Sequence, residues 1–293
     1  MGLPTVWNAN QYSANLHMLV QQKGSRLKNT VYLSPDGFSD GEYKFVDQIG
    51  KGAMVEVTNR LGNTEWTDPD AERRRIGKQY YEYAKIFDTW EKLNRLNDPT
   101  SKEMLNAVYA VGRQWDSMII TGMTATANAG KAGATSTTLA SYDSGNNVIA
   151  HGSAGLTLTK LRTTLYRFNQ ADVPEDETKW FVIAAKEVDN LLGITQLTSA
   201  DYNSVKTLVE GKVSSFMGFN FIMCNLLTVA SSIRTCLAYT ESAFELAIAK
   251  DMDTTVDRLP ERRNSIGLQT QMAGGGVRLE EEKVVSIACD ETA

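Results

Sequence analysis

Residues 100–122 read TSKEMLNAVYAVGRQWDSMIITG, and this stretch sets the architecture. Asp98-Pro99 stops the preceding element. Thr100 with Glu103 matches a capping box, in which each side chain satisfies a free backbone N–H at the helix start. Apolar residues then recur at Met104, Leu105, Val108, Val111, Trp115, Met118 and Ile119, with Asn106, Arg113 and Gln114 off the stripe. That is helical periodicity over about five turns. Gly122 is the expected stop. A helix over about 100–121 is long enough to be the frame of the fold.

Downstream of it, residues 122 to 155 are rich in Gly, Ala, Ser, Thr and Asn and show no regular core pattern. They are expected to form an extended surface segment with short strands. A second helix is expected from Thr157 to Asn169, with Leu158, Leu161, Leu165 and Phe168 on one face. Trp180 to Ala184 has the unbroken apolar character of a buried strand. Lys186 to Leu192 suggests a helical turn ended by Gly193, and Thr198 to Val209 a short helix. Phe216 to Met223 and Ile233 to Tyr239 read as strands, the latter alternating cleanly. Glu241 to Lys250 reads as a helix and Gly274-Gly275-Gly276 as a turn. Val277-Arg278-Leu279 and Val284 to Ile287 read as a closing pair of strands.

Upstream, residues 1 to 40 mix Asn and Gln with isolated apolar residues and are unlike a self-sufficient core. Ser34-Pro35-Asp36-Gly37 is a strong turn signal. Residues 42 to 78 read as a long two-stranded excursion: Phe45 to Ile49, a glycine-rich passage at Gly50-Lys51-Gly52, the alternating Met54 to Thr58, a turn at Leu61 to Thr64 and a return from Glu65. It holds seven acids and seven bases but few large apolar residues. A lone hairpin is marginal in water, so this one gains its order from a neighbour. Arg75 to Trp90 has the aromatic density of a strand through Phe87, with helix as the competing reading. Helices and mixed sheets without strict βα alternation make the class α+β.

Composition narrows function. The chain has 293 residues, is 42% hydrophobic and 22% charged, and carries a formal net charge of -5. Without excess Lys and Arg, gripping nucleic-acid phosphates is not its main work. No secretory signal, myristoylation signal or bilayer-length apolar run occurs in the sequence, so a soluble protein made in the cytoplasm is expected. Cys224, Cys236 and Cys289 form no disulfide framework and read as small buried hydrophobes. With only His17 and His151 as imidazoles, neither in a ligand spacing, no metal site is expected.

Catalytic motifs fail on inspection. In His151-Gly152-Ser153-Ala154-Gly155 a glycine directly precedes the serine, which breaks the nucleophile-elbow order. Ala129-Gly130-Lys131-Ala132 lacks the leading glycine and the Ser/Thr of a phosphate loop. No His-Glu-x-x-His or Cys-x-x-Cys is present. Glu175-Asp176-Glu177 and Glu280-Glu281-Glu282 read as solvated surface. Arg73-Arg74-Arg75 reads either as an exposed face or as an interface that grips carboxylates through bidentate pairs. No cofactor is expected.

The order of elements resembles the major capsid proteins of tailed bacteriophages, with the HK-ninety-seven-type coat fold. The resemblance rests on Arg60 to Thr64, Arg73-Arg74-Arg75-Ile76 and Gly112-Arg113-Gln114-Trp115-Asp116. It also rests on Leu197 to Asn203 through Gly211 to Phe219, and on the ending Gly276 to Leu279 with Val284 to Cys289. It implies an N-terminal arm over 1–40, an extended loop over 41–78 and a peripheral domain over 79–160 containing the spine helix. An axial domain over 161–269 and a return to the peripheral domain over 270–293 complete it.

What the resemblance implies is a shell subunit and not an enzyme. Hexamers and pentamers would tile an icosahedral head around double-stranded DNA, touched weakly and non-specifically. Scaffold, portal and possible decoration proteins would be partners, and no membrane. Location is the virion, after assembly in the host bacterial cytoplasm. Arg60, Glu65, Trp66, Arg73, Arg74 and Arg75 become the candidate inter-subunit contacts. The alternatives are an encapsulin-like compartment shell, or an α+β enzyme with its site near His151.

Overall fold

A computed structural model describes residues 18–38, 41–60, 62–64, 66–87, 100–193 and 215–292. In chain order the strands and helices begin with β1 (Tyr32–Leu33), β2 (Tyr43–Ile49), β3 (Ala71–Gly77), β4 (Gln79–Phe87) and α1 (Thr100–Thr124). There follow β5 (Ala127–Ala129), β6 (Thr135–Thr137), β7 (Val148–Ile149), α2 (Leu158–Gln170), β8 (Lys179–Ile183) and α3 (Ala185–Leu192). The chain continues with β9 (Ser215–Phe216), β10 (Phe219–Met223), β11 (Val229–Ala230), β12 (Ile233–Thr240), β13 (Phe244–Leu259), β14 (Ser265–Arg278) and β15 (Val284–Asp290).

These strands form three sheets. A four-stranded sheet runs β1-β13-β14-β4, a seven-stranded one β7-β15-β12-β8-β10-β9 with β11 beside β12, and a second four-stranded one β2-β3-β5-β6. Helix α1 lies on β14 and β13. The main core runs from that contact into the seven-stranded sheet, joining Trp115, Ile119 and Met123 to Phe181, Leu237 and Ile287. Under α2, Phe181 meets Phe219 edge-on with ring centroids 5.6 Å apart, and Phe168 adjoins the same ring at 6.0 Å.

The long helix is present, yet it is not built as its stripe suggests. Its buried side chains are Ala107, Trp115, Asp116, Met118, Ile119, Ile120 and Met123. Met104, Leu105 and Val108 stay exposed, so the first turns extend beyond the core. Glu103 turns to Lys85 and to the Tyr83 hydroxyl on β4, while the Thr100 half of the expected capping box lies outside the described side chains. Nor does Gly122 end the helix. A Cβ there would stand 2.7 Å from the Phe244 ring, so this glycine admits the ring and the helix continues to Thr124.

Two further secondary-structure readings need correction. Glu241–Lys250 is no helix: a single 3-10 turn at Glu241–Ala243 leads directly into β13. Its Glu, Leu, Ala and Lys favour helix, but Phe244, Leu246 and Ile248 also alternate, and pairing with β14 from Phe244↔Arg278 onward decides. Gly274-Gly275-Gly276 is no turn either. It lies in β14, paired with β13 on one side, and Gly274 also pairs with Gln79 of β4 on the other. Side chains here would collide: a Cβ on Gly274 meets the Trp115 ring at 2.6 Å, on Gly275 the Gly77 carbonyl oxygen at 2.1 Å, and on Gly276 the Phe244 ring at 2.3 Å. These glycines let a helix and two strands close in on one strand.

Other expectations hold. Strand character through Phe87 is correct, and β8, β10 and β12 lie where apolar runs and alternation place them. Helix α2 begins at an N-cap, with the Thr157 hydroxyl accepting from the Lys160 N–H. Residues 284–290 are a strand, but β15 pairs with β12 and not with β14. The 122–155 segment is better ordered than its composition suggests, and buries Ala127, Ala129, Leu139 and Asn147. The expected helix over 198–209 lies outside the described residues.

Gly275→Ala is therefore expected to destabilise the subunit by about 1–3 kcal/mol through overpacking against backbone. Gly52→Ala, whose Cβ meets nothing within 4 Å, should stay within roughly 0.5 kcal/mol of the parent. Urea unfolding midpoints of the two variants check this, and equal midpoints would remove the close-approach argument.

Candidate functional site

The 42–78 excursion is where surface and structure diverge most. Its stem is the β2–β3 pair, in register from Tyr43↔Gly77 to Ile49↔Ala71 and extended by the Gly50 N–H donating to Asp70 O at 2.6 Å. Past that point every described residue from 51 to 70 is exposed. Trp66 is 91% exposed, and Met54 and Val57 are similarly bare. An apolar set on a projecting segment marks a surface for contact with another molecule.

The stem is fixed to the body through Arg74. Its side chain is 4% exposed, and its guanidinium donates to the Glu281 carboxylate at 2.7 Å and to Leu279 O at 3.1 Å. Glu281, expected on a solvated surface, is instead buried by its two arginine partners, and it also lies 3.5 Å from Arg278, a fully buried residue at the end of β14. Arg278 in turn donates to the backbone carbonyls of Met123, Ala125 and Thr137 at 2.6, 3.0 and 3.2 Å. One buried carboxylate thus ties the stem, the last turn of α1 and β14 together. Burial pulls the Arg278 guanidinium below its ordinary pKa, and Glu281 opposes this.

The neighbouring arginines lie outward. Arg73 forms a two-point pair with Asp47 across the stem and sits 5.6 Å from the Phe45 ring centroid. That hydrogen bond holds the Asp47 carboxyl below its usual range. Arg75 stacks over Tyr43 at 4.6 Å and reaches the Ala132 carbonyl. Arg60 lies in the exposed segment. Glu65 lies outside the described residues. Of the six contact candidates, then, Arg60 and Trp66 share the projection, Arg73 and Arg75 flank its base, and Arg74 is engaged inside its own chain. Alternation of in- and out-facing side chains along β3 separates Arg74 from its two neighbours.

Residues that the sequence reading missed do the anchoring. Asp116 on α1 is fully buried and accepts from the Gln22 and Ser25 side chains and from the backbone N–H groups of Arg26 and Leu27 at 3.0 Å. Segment 22–27 crosses the helix where Gly112 is bare: a Cβ there would lie 2.5 Å from Gly24. Past that crossing, Leu27 and Val31 enter the core, and β1 runs parallel to β13 from Tyr32↔Glu245. A Gly-x-x-x-Asp spacing on a helix was the available signal, since residues four apart share a face. At the alternative site, the Ser153 N–H donates to His151 Nδ1 at 3.0 Å, a local turn and no nucleophile–base pair.

Glu281→Gln leaves two buried guanidinium groups without their carboxylate and is expected to destabilise the subunit by about 3–5 kcal/mol. Arg73→Ala, which removes an exposed pair, should leave the denaturation midpoint close to the parent's. Chemical denaturation of both variants distinguishes the buried anchor from the surface pair.

Comparison with known proteins agrees with this anatomy. The family model described as phage capsid protein matches residues 5–291. No curated protein sequence matches the chain. Among solved structures, one from Mycobacterium phage Che8 superposes with a TM-score of 0.75 at 15% identity, covering 98% of this chain and 98% of that one. The acid-stable capsid of Helicobacter pylori bacteriophage KHP30 gives a TM-score of 0.74 at 8% identity, covering 98% and 96% of the two chains. The capsid of cyanophage P-SCSP1u gives 0.73 at 13% identity, covering 96% and 92%. At such identities these likenesses speak to the fold alone, which is α+β and of HK-ninety-seven type. With the family model spanning nearly the whole sequence, the chain belongs to the phage capsid protein family: it is a structural subunit of a virion head.

Proposed function

We propose that this chain closes the head as hexamers and pentamers around double-stranded DNA, and that residues 51–70 lock each subunit onto the next. The carrying observation is a projection with Met54, Val57 and Trp66 bare on a stem whose base is pinned by the buried Arg74–Glu281 pair. A rigid base with a tip that carries exposed apolar side chains is suited to docking on a neighbour, where apolar burial and peripheral charges add contact by contact. Arg60 and Trp66 are the contacts at the tip, and Arg73 and Arg75 those at the base.

On this reading α1 with the β1-β13-β14-β4 sheet is the peripheral part and the seven-stranded sheet the axial part, a division that differs from the 79–160, 161–269 and 270–293 bounds by taking β13 into the peripheral sheet and β7 and β15 into the axial one. The net charge of -5 supports weak, non-specific contact with the enclosed genome. Scaffold and portal proteins, and decoration proteins where present, complete the assembly in the host cytoplasm.

Replacing residues 52–69 by a short glycine-serine turn tests the assignment. The variant should keep its helical circular dichroism and lose closed shells in negative-stain images, whereas shells of normal size would overturn it. Trp66→Ala should raise the critical concentration for assembly about tenfold or more, as for an aromatic hot spot.

A further inference from the structure

Glu187, Cys236 and Cys289 meet inside the seven-stranded sheet, remote from the projecting hairpin in sequence and in the fold. One carboxylate oxygen and two Sγ atoms lie within 4.8 Å of one another, and all three residues are buried. Topology brings them together. Glu187 sits in the first turn of α3. Cys236 of β12 pairs with Ile287, and Cys289 of β15 pairs with Arg234, so both sulfurs occupy one face of adjacent antiparallel strands, offset diagonally.

Two further observations point to a missing positive ion. Glu187 Oε2 accepts from the Ala184 N–H at 3.2 Å, but Oε1 is buried with no hydrogen-bond partner. An orphaned carboxylate oxygen in the interior is costly and calls for a cation or donor. Lys160 supplies the second. It is buried, interacts electrostatically with Cys289, and donates only to the carbonyls of Ala154, Gly155 and Ala288, at 2.7, 2.8 and 2.9 Å. It has no salt bridge among the described residues. An interior ammonium that donates only to carbonyls favours negative charge close by, which Cys289 and the Asp290 carboxylate are placed to supply.

We propose that Glu187, Cys236 and Cys289 bind a borderline-soft divalent cation, of zinc type, as a structural centre. Two thiolates and one carboxylate around a dication leave a net charge of -1, which the Lys160 ammonium balances. Bonds of about 2.0–2.3 Å to zinc put tetrahedral ligand atoms roughly 3.3–3.8 Å apart, inside the 4.8 Å within which this cluster lies. No fourth Cys, His, Asp or Glu among the described residues joins the group, so a backbone carbonyl or water completes the shell. Binding releases the two thiol protons to solvent and ties α3 to β12 and β15, elements far apart in sequence.

The full chain, purified without chelator, is to be analysed by inductively coupled plasma mass spectrometry. About one zinc per chain is expected, abolished in C236A/C289A and weakly held in E187Q. Chelator-stripped parent protein titrated with Co²⁺ should develop a thiolate-to-cobalt charge-transfer band saturating at one equivalent. That titration decides the matter even where the double variant fails to fold. Zinc below about a tenth of an equivalent with no thiolate band overturns the proposal, as does full zinc retention by folded C236A/C289A.

Discussion

The indole of Trp115 occupies the space that any side chain on Gly274 would need, and the Phe244 ring fills the same space above Gly276 and Gly122. Helix α1 thereby rests almost on the backbone of β14. Gly275 brings the third body in, because its bare Cα lets the Gly77 carbonyl at the junction of β3 and β4 approach. Interiors packed to this density tolerate no added methyl group, so the relative placement of helix, ribbon and hairpin stem is a single solution and not a range. Everything that functions at the surface is mounted on that contact.

The middle and the C-terminal end of α1 are used differently. Near its middle, Gly112 and Asp116 hold segment 22–27, and the carboxylate takes up backbone donors that have no strand partner. At its C-terminal end, the carbonyl of Met123 is met by Arg278, which shares Glu281 with Arg74 of the stem. The positive charge of Arg278 also suits the negative end of the helix dipole. A polar network of this kind adds little net stability against an apolar equivalent, but it fixes geometry. For a subunit that must meet identical copies at set angles, orientation of the projection matters more than the last kcal/mol.

Much of this was legible beforehand where local signals and tertiary demands agree. The periodicity of 100–121, the aromatic run to Phe87, the apolar block 180–184 and the alternation of 233–239 all became the expected elements. Charge balance and scarcity of apolar residues marked the hairpin as a projection. The misreadings share one cause. At Phe244–Ala249 and at the three glycines, what decides the conformation is a partner strand or a ring far away in sequence, and local propensity or turn chemistry argues the other way. The Arg74–Glu281 pair spans 207 positions, and no linear spacing announces it. Likewise Glu187 has no linear relation to the two cysteines it meets, so a search for imidazole spacings passes over the group.

The central claim is that Met54, Val57 and Trp66 lie bare in the free subunit and are covered on assembly, while α1 is a rigid support throughout. Amide hydrogen exchange of the free subunit and of the closed shell addresses it directly. The account predicts fast exchange across 51–70 in the free subunit and strong protection in the shell, with the Trp115–Met123 turns of α1 protected equally in both. Unchanged exchange of 51–70 on assembly, or an α1 that gains its protection only in the shell, would contradict it.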